Sequence, residues 1–364
     1  MDNSLTREQV EAALKAYQDP YLKQDLVTAD AIKELTVGDG RISLVIRLGY
    51  PSAGVAAKIE AGVRAALSEL AGEESLSVSI GHEVISHAVQ KGVKPLPRIK
   101  NIVAVASGKG GVGKSTTAVN LALALSAEGA EVGLLDADIY GPSQPRMLGC
   151  HDKPQSRDGK SMEPVVCHGL QTMSIGYLID DETPMIWRGP MVTAALQQLL
   201  GDTRWRDMDY LVIDLPPGTG DTQLTLAQKI PVSGAVIVTT PQDIALLDAR
   251  KAVKMFEKVE VPVLGVIENM STHICSQCGH EEHIFGAGGG QRMAQDYGIE
   301  LLGSLPLDLC IRQDVDEGRP TVIAQPDGPV AHAYREIARK LSARLALQAK
   351  DYSARFPEIV IENT

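Results

Sequence analysis

The chain has 364 residues, enough for about two domains at the usual 100–200 residues each. Its 44% hydrophobic and 22% charged residues are those of a globular protein with a real core. The net charge of −11 excludes the basic footprint of a non-specific nucleic-acid binder, and no apolar run approaches the roughly 18 residues of a membrane span. With three Phe, two Trp and nine Tyr, the core must be built mainly from aliphatic side chains and Ala. The polar segment Met1–Val10 lacks the pattern of a secretory signal. Five cysteines, an odd number, do not make a disulfide framework and fit a reducing cytoplasm.

Thr6–Ala16 reads as a short amphipathic helix and Arg41–Leu48 (RISLVIRL) as a half-buried strand, because its apolar residues alternate. Val55, Ile59, Val63, Ala66 and Leu70 recur at helical spacing, and Leu76–Ile80 alternates again. Residues 1–88 are thus expected to form a small α+β domain. Residues 89–100, where Lys91, Lys94, Arg98 and Lys100 are punctuated by Gly92, Pro95 and Pro97, read as a linker.

From Asn101 the texture changes. The strand candidates are Ile102–Ala106, Val132–Asp136, Tyr210–Asp214, Ala235–Thr239, Leu264–Glu268 and Leu301–Leu305. Helical patterns at Ser115–Glu128, Asp221–Lys229, Ile244–Val259 and Gly288–Tyr297 separate most of them, and a last helix covers Val330–Ala349. Near-continuous hydrophobic strands alternating with helices predict an α/β domain over 101–350, a mostly parallel sheet with helices on both faces. Residues 351–364 are a mixed, acidic tail.

Gly108-Lys109-Gly110-Gly111-Val112-Gly113-Lys114-Ser115, followed by Thr116, matches the phosphate-loop pattern at every position. It lies between a strand and a helix, as that loop requires. Backbone N–H groups of such a loop curl around phosphate oxygens, and the helix N-terminus adds partial positive charge. Lys114 is placed to reach the β and γ phosphates and Ser115 to coordinate Mg²⁺. Lys109 adds a second cation, directed either at its own nucleotide or at one bound by another subunit.

Asp136 and Asp138 follow the strand Val132–Leu135, and Asp214 ends the strand Tyr210–Ile213. Ligands of parallel sheets bind at such strand ends. One carboxylate can order Mg²⁺ and its waters, and another can orient an attacking water. Pro216–Asp221 has the glycines of a γ-phosphate-sensing switch. Asn269, after the strand Leu264–Glu268, carries an amide suited to a base edge. Cys275-Ser276-Gln277-Cys278 supplies two thiolates at metal-ligand spacing, two short of a tetrahedral or four-iron site. A second subunit's pair, or His280 and His283 around zinc, completes the count; a redox dithiol is the remaining alternative. Cys150, Cys167 and Cys310 have no partner at ligand spacing and read as small buried hydrophobes.

Ser107–Thr116 (SGKGGVGKST) resembles the deviant phosphate loop of MinD/ParA-type ATPases, whose first lysine matches Lys109. Leu135–Ser143 (LDADIYGPS), Trp187–Val192 (WRGPMV), Ile213–Asp221 (IDLPPGTGD) and Glu268–Met270 with Cys275 and Cys278 are similar to the Mrp/ApbC iron–sulfur carrier ATPases. The front segment is similar to a small iron–sulfur-assembly domain. That domain often has a cysteine in the loop after its second strand; the loop here, Gly49–Gly54, has none. The resemblance implies that Lys109 contacts nucleotide across a homodimer and that Asp138 orients the hydrolytic water. It further implies that Asp136 and Asp214 support Mg²⁺ and Asn269 contacts adenine. Cys275 and Cys278 of two subunits would share one [4Fe–4S] cluster. The expected protein is a cytoplasmic, homodimeric ATP hydrolase that passes clusters to apo iron–sulfur proteins, with a donor scaffold as a further candidate partner and no nucleic-acid or membrane partner. A zinc-bridged client-binding ATPase and a positioning ATPase are the alternatives.

Overall fold

The computed structural model describes residues 5–38, 40–179, 189–275 and 277–351. The front domain comprises α1 (Arg7–Ala16), β1 (Ile32–Gly38), β2 (Arg41–Leu48), α2 (Ala56–Leu67) and β3 (Leu76–His82). Thr6 and Gln9 close a reciprocal capping box that starts α1. The alternation in β2 turns Ile42, Leu44, Ile46 and Leu48 inward, where they meet Ile59, Val63 and Leu67 of α2. β2 pairs antiparallel with β1 and parallel with β3, so α2 is the crossover helix. The sequence reading lacked β1, whose burial shows no clean alternation.

The large domain continues with β4 (Ile99–Ala106), α3 (Lys114–Ala127), β5 (Val132–Asp136), α4 (Gln144–Leu148), β6 (Val165–Cys167), β7 (Leu170–Ser174), α5 (Gly189–Asp202), β8 (Met208–Asp214) and α6 (Asp221–Lys229). Then follow β9 (Gly234–Thr239), α7 (Asp243–Lys258), β10 (Val263–Glu268), a two-residue-stranded hairpin β11 (His273–Ile274) and β12 (Glu281–Glu282), α8 (Gly289–Tyr297), β13 (Leu301–Ser304), α9 (Leu309–Asp316), α10 (Thr321–Ala324) and α11 (Pro329–Ala346). The eight-stranded sheet has the order β13-β10-β9-β4-β8-β5-β7-β6 and is parallel except for β6, which runs antiparallel to β7. The expected mostly parallel sheet with helices on both faces is present. One apolar core holds Val192, Leu196, Leu226 and Phe256; the other holds Leu121, Leu125, Tyr334, Ile337 and Leu341. α3 is buried from Thr117 to Leu125 on every side, between the sheet and α11, which explains its apolar sequence without a polar stripe.

Two expectations are corrected. Residues 89–100 are not a free linker. Ile99 and Lys100 already belong to β4, and the buried Gln90 donates to the carbonyls of Ala227 and Ile230 (2.7 and 2.6 Å) while accepting from the N–H of Val232 (3.1 Å). Cys150 and Cys167 are not separate small hydrophobes: they form a disulfide between the end of α4 and β6. Seventeen positions separate them, and only the return of the chain into β6 brings them together.

The two domains meet at a buried charge. Glu128, directly after α3, is fully buried and receives Arg335 Nε and Arg339 Nη2 of α11, each at 2.7 Å, and the N–H of Gly54 at 2.9 Å. Tyr21 of the front domain donates to Glu336 (2.8 Å), and Ala343 of α11 lies in the front domain's core. Burial pushes the Glu128 carboxyl up, but the hydrogen bonds from Arg339 and Arg335 outweigh it, so the group sits below its ordinary 4.5. Its stabilisation is therefore complete above about pH 4.5 and is lost as pH falls through the lower folded value. Truncating one partner of such a network costs about 3–5 kcal/mol. Glu128→Ala should produce an earlier urea transition at pH 7, with a difference from wild type that shrinks below pH 4.5. An unchanged transition would remove Glu128 from the docking account.

Candidate functional site

The sheet places its carboxyl-terminal strand ends on one edge, and the loops there carry the predicted residues. The phosphate loop, 107–113, joins β4 to α3. Gly108 is required by close approach: a Cβ there would lie 2.1 Å from the backbone carbon of Asp248 in α7. Gly113 is required by conformation and space, with φ +80° and a built Cβ 2.2 Å from Asn269 Nδ2. Ser107 Oγ donates to the Lys109 carbonyl (2.9 Å), closing the loop's first turn. The Lys109 side chain is half-buried and makes no ion pair among the described residues.

Lys114 is buried and its ammonium pairs with Asp214, which is also fully buried. Lys114 Nζ also lies 3.2 Å from Ser115 Oγ. Asp214 and Asp136 are register partners at the ends of β8 and β5. Burial, then the neighbouring charge of Asp214, pushes the Asp136 carboxyl up to about 7. Asp136 is fully engaged: it accepts from the N–H groups of Asp138 (3.1 Å), Ser143 (3.0 Å) and Gln144 (3.1 Å) and from Ser174 Oγ (3.0 Å). It thereby shapes the loop 137–144. Asp138 in that loop is only partly buried; burial raises its pKa, Lys114 opposes the rise and Asp214 adds to it.

Sequence reasoning missed Gln144 and Ser174. Gln144 is 1% exposed, and its amide nitrogen donates to Asp214 Oδ2 (2.9 Å) and to the Ser115 carbonyl (3.1 Å). The one local signal was a polar side chain opening a short helix whose next residues, Pro145 and Leu148, go inward. The Pro216–Asp221 loop hangs over the phosphate loop, its Gly218 N–H donating to the Ser107 carbonyl (3.0 Å).

Asn269 donates to the Val112 carbonyl of the phosphate loop (2.9 Å). Four residues later the chain enters the β11–β12 hairpin, whose base is fixed by His283 Nδ1 against the Ser271 carbonyl (3.0 Å) and His273 Nδ1 against the Leu307 carbonyl (3.1 Å). Cys275 and Cys278 sit in its turn, the first half-buried and the second exposed. The turn is closed by Cys275 N–H to the His280 carbonyl (2.9 Å) and Gly279 N–H to the Cys275 carbonyl (2.8 Å). Backbone N–H groups of Gln277 and Cys278 hold the Cys275 thiol below its ordinary range, which favours the ligating thiolate. Among the described residues no group of three or more His, Cys, Asp or Glu gathers to hold a metal. Trp187 and Arg188 of the WRGPMV motif lie outside the described residues.

A positive-φ glycine at the start of α3, a buried lysine and a row of carboxylates at parallel strand ends are the features of a nucleotide-binding NTPase. The family model described as NUBPL iron-transfer P-loop NTPase matches residues 98–342, and that for an iron–sulfur cluster assembly protein matches residues 7–80. The chain belongs to the iron–sulfur cluster carrier family of P-loop NTPases. It is 50% identical over 345 residues to the iron–sulfur cluster carrier protein of Escherichia coli K12, covering 94% of each chain. It is 61% identical over 275 residues to that of Pseudomonas fragi, covering 75% of this chain and 96% of the relative. Among solved structures, a nucleotide-binding protein from Archaeoglobus fulgidus in complex with ADP is 37% identical, with a TM-score of 0.56 over 65% of this chain and 91% of that one. The cell division ATPase MinD of Pyrococcus furiosus shares the fold, with a TM-score of 0.51 at 22% identity, over 66% of this chain and 98% of that one. No described helix is long and apolar enough to cross a membrane.

Gly108→Ala should force α7 away from the loop. The expected outcome is at least a tenfold loss of nucleotide affinity with a destabilisation of about 1–3 kcal/mol from overpacking. Titration with a fluorescent ATP analogue checks it; wild-type affinity would contradict the close-approach reading.

Proposed function

We propose that the chain binds and hydrolyses ATP with Mg²⁺ and carries an iron–sulfur cluster, as cargo, between two copies of itself before passing it to apoproteins. The observation that carries this reading is the short path from Asn269, against the phosphate loop, to the exposed Cys275–Cys278 turn. Nucleotide and thiols are served by one strand end. A change in the loop has direct mechanical access to the thiols, the condition for a nucleotide to favour one carrier state over another.

The residues suit a magnesium nucleotide. The loop glycines leave room for phosphates, Lys114 has a carboxylate as its ionic partner, and Gln144 Oε1 is buried without a hydrogen-bond partner among the described residues. Lys114 would exchange Asp214 for phosphate oxygens. Ser115 and Asp214 would face the magnesium, with Asp136 supporting both through the loop it shapes. Asp138, partly buried and raised in pKa, would orient the attacking water. Lys109, with no ion pair among the described residues, would reach the nucleotide of the second copy, and Asn269 would turn from Val112 toward the adenine. One chain supplies two thiolates where a four-iron cluster takes about four ligands, so a second copy's pair completes the set. The front domain, held by Glu128, would dock partners.

The two halves of the proposal separate by mutation. Lys114→Ala should abolish ATP turnover and leave anaerobic cluster reconstitution intact. Cys275→Ala should lose the visible chromophore and keep turnover. A Lys114→Ala protein with normal turnover sinks the phosphate-loop assignment, and an unchanged chromophore in Cys275→Ala sinks the cluster assignment.

A further inference from the structure

We propose that Gln144 is a positioning residue for the magnesium site, acting through Asp214 and Ser115. The inference rests on the magnesium-nucleotide reading above and deepens it. Gln144 follows the loop 137–143 and is buried where the ends of β5 and β8 lie side by side. Its backbone N–H holds Asp136 Oδ2 (3.1 Å). Its side-chain amide donates to Asp214 Oδ2 (2.9 Å) and to the backbone carbonyl of Ser115 (3.1 Å). Both partners are acceptors, which fixes the NH₂ on that side of the amide. The carbonyl oxygen, Oε1, is therefore left, and it is buried with no partner among the described residues.

An unpaired buried carbonyl is unfavourable, and an apolar side chain of equal size would fill the same space without it. Pro145 and Leu148 on the same helix are buried and apolar, so the surroundings tolerate such residues. What the amide adds is a fixed hold on Asp214 that does not depend on Lys114. The two carboxylate oxygens of Asp214 have separate partners, Lys114 on Oδ1 and Gln144 on Oδ2. When Lys114 turns to phosphate, the Gln144 bond keeps the carboxylate in place. Mg²⁺ retains several waters in such sites, and their hydrogens need acceptors. The orphaned Oε1 offers one. The same amide ties Ser115, the hydroxyl ligand, to Asp214 across the gap between α3 and β8.

The test measures magnesium linkage on the full chain rather than activity. Binding of a fluorescent ATP analogue is titrated in EDTA and again with increasing MgCl₂, for wild type, Gln144→Met, Asp214→Asn and the double variant. Removing an outer-shell partner typically weakens metal affinity about 10–100-fold. Gln144→Met should keep its EDTA affinity within about twofold while its magnesium midpoint rises about tenfold or more. The double variant should lose no more than Asp214→Asn alone, because the two act as one unit. A wild-type magnesium midpoint in Gln144→Met, an equal loss with and without magnesium, or additive losses in the double variant would each overturn the proposal. Gln144→Leu serves as the second variant; if both unfold, Gln144 is a structural residue and the proposal falls. A wild type whose nucleotide binding ignores magnesium would overturn the underlying site reading instead.

Discussion

The ion pair between Lys114 and Asp214 sits at the meeting point of the central strands, with both partners withdrawn from water. Desolvating two charges is unfavourable, and a single contact seldom compensates for it. The pair is tolerable because Ser115 and Gln144 give it further polar contacts. It also defines what the site wants. A phosphate would answer Lys114 and a divalent cation would answer Asp214, so one ligand of mixed charge would satisfy both at once. The neighbouring pair Asp136 and Asp214 would be repulsive if both were ionised and unaccompanied; burial first, and then that conflict, raises the Asp136 carboxyl.

The helix that begins at this pair also ends at the domain boundary. α3 carries Lys114 at its first residue, and Glu128 follows its last. One end adjoins the phosphate loop, and the other holds Gly54 and the two arginines of α11. Being buried on every side, α3 is a rigid connector between the loop and the front domain. The Asn269 contact is a second connection, from the same loop to the cysteine turn. The phosphate loop is thus mechanically adjacent to both parts of the chain that would handle cargo or partners.

Much of this was legible in the sequence, and the reason is locality. The phosphate loop is a contiguous run whose glycines, lysine and hydroxyl each have a fixed geometric duty. The buried parallel strands announce themselves as apolar runs ending in Asp136, Asp214 and Glu268. What was not legible depends on distant residues meeting. β6 and β7 are short and bounded by irregular loops, so no periodicity marks them. The Cys150–Cys167 pairing and the Gln90 anchor both need the folded chain. Gln144 looked like an ordinary polar residue before a proline, and only its burial against Asp214 and Ser115 gives it meaning. The four donors gathered by Asp136 could not be read from a carboxylate at a strand end, although its place in the loop could.

The central claim is that two thiolates from each of two copies hold one iron–sulfur cargo. Iron, zinc and acid-labile sulfide in anaerobically purified dimer test it most directly. The account predicts about four iron and four sulfide per dimer, the content of one [4Fe–4S] cluster, with negligible zinc. One zinc per dimer without acid-labile sulfide would contradict it.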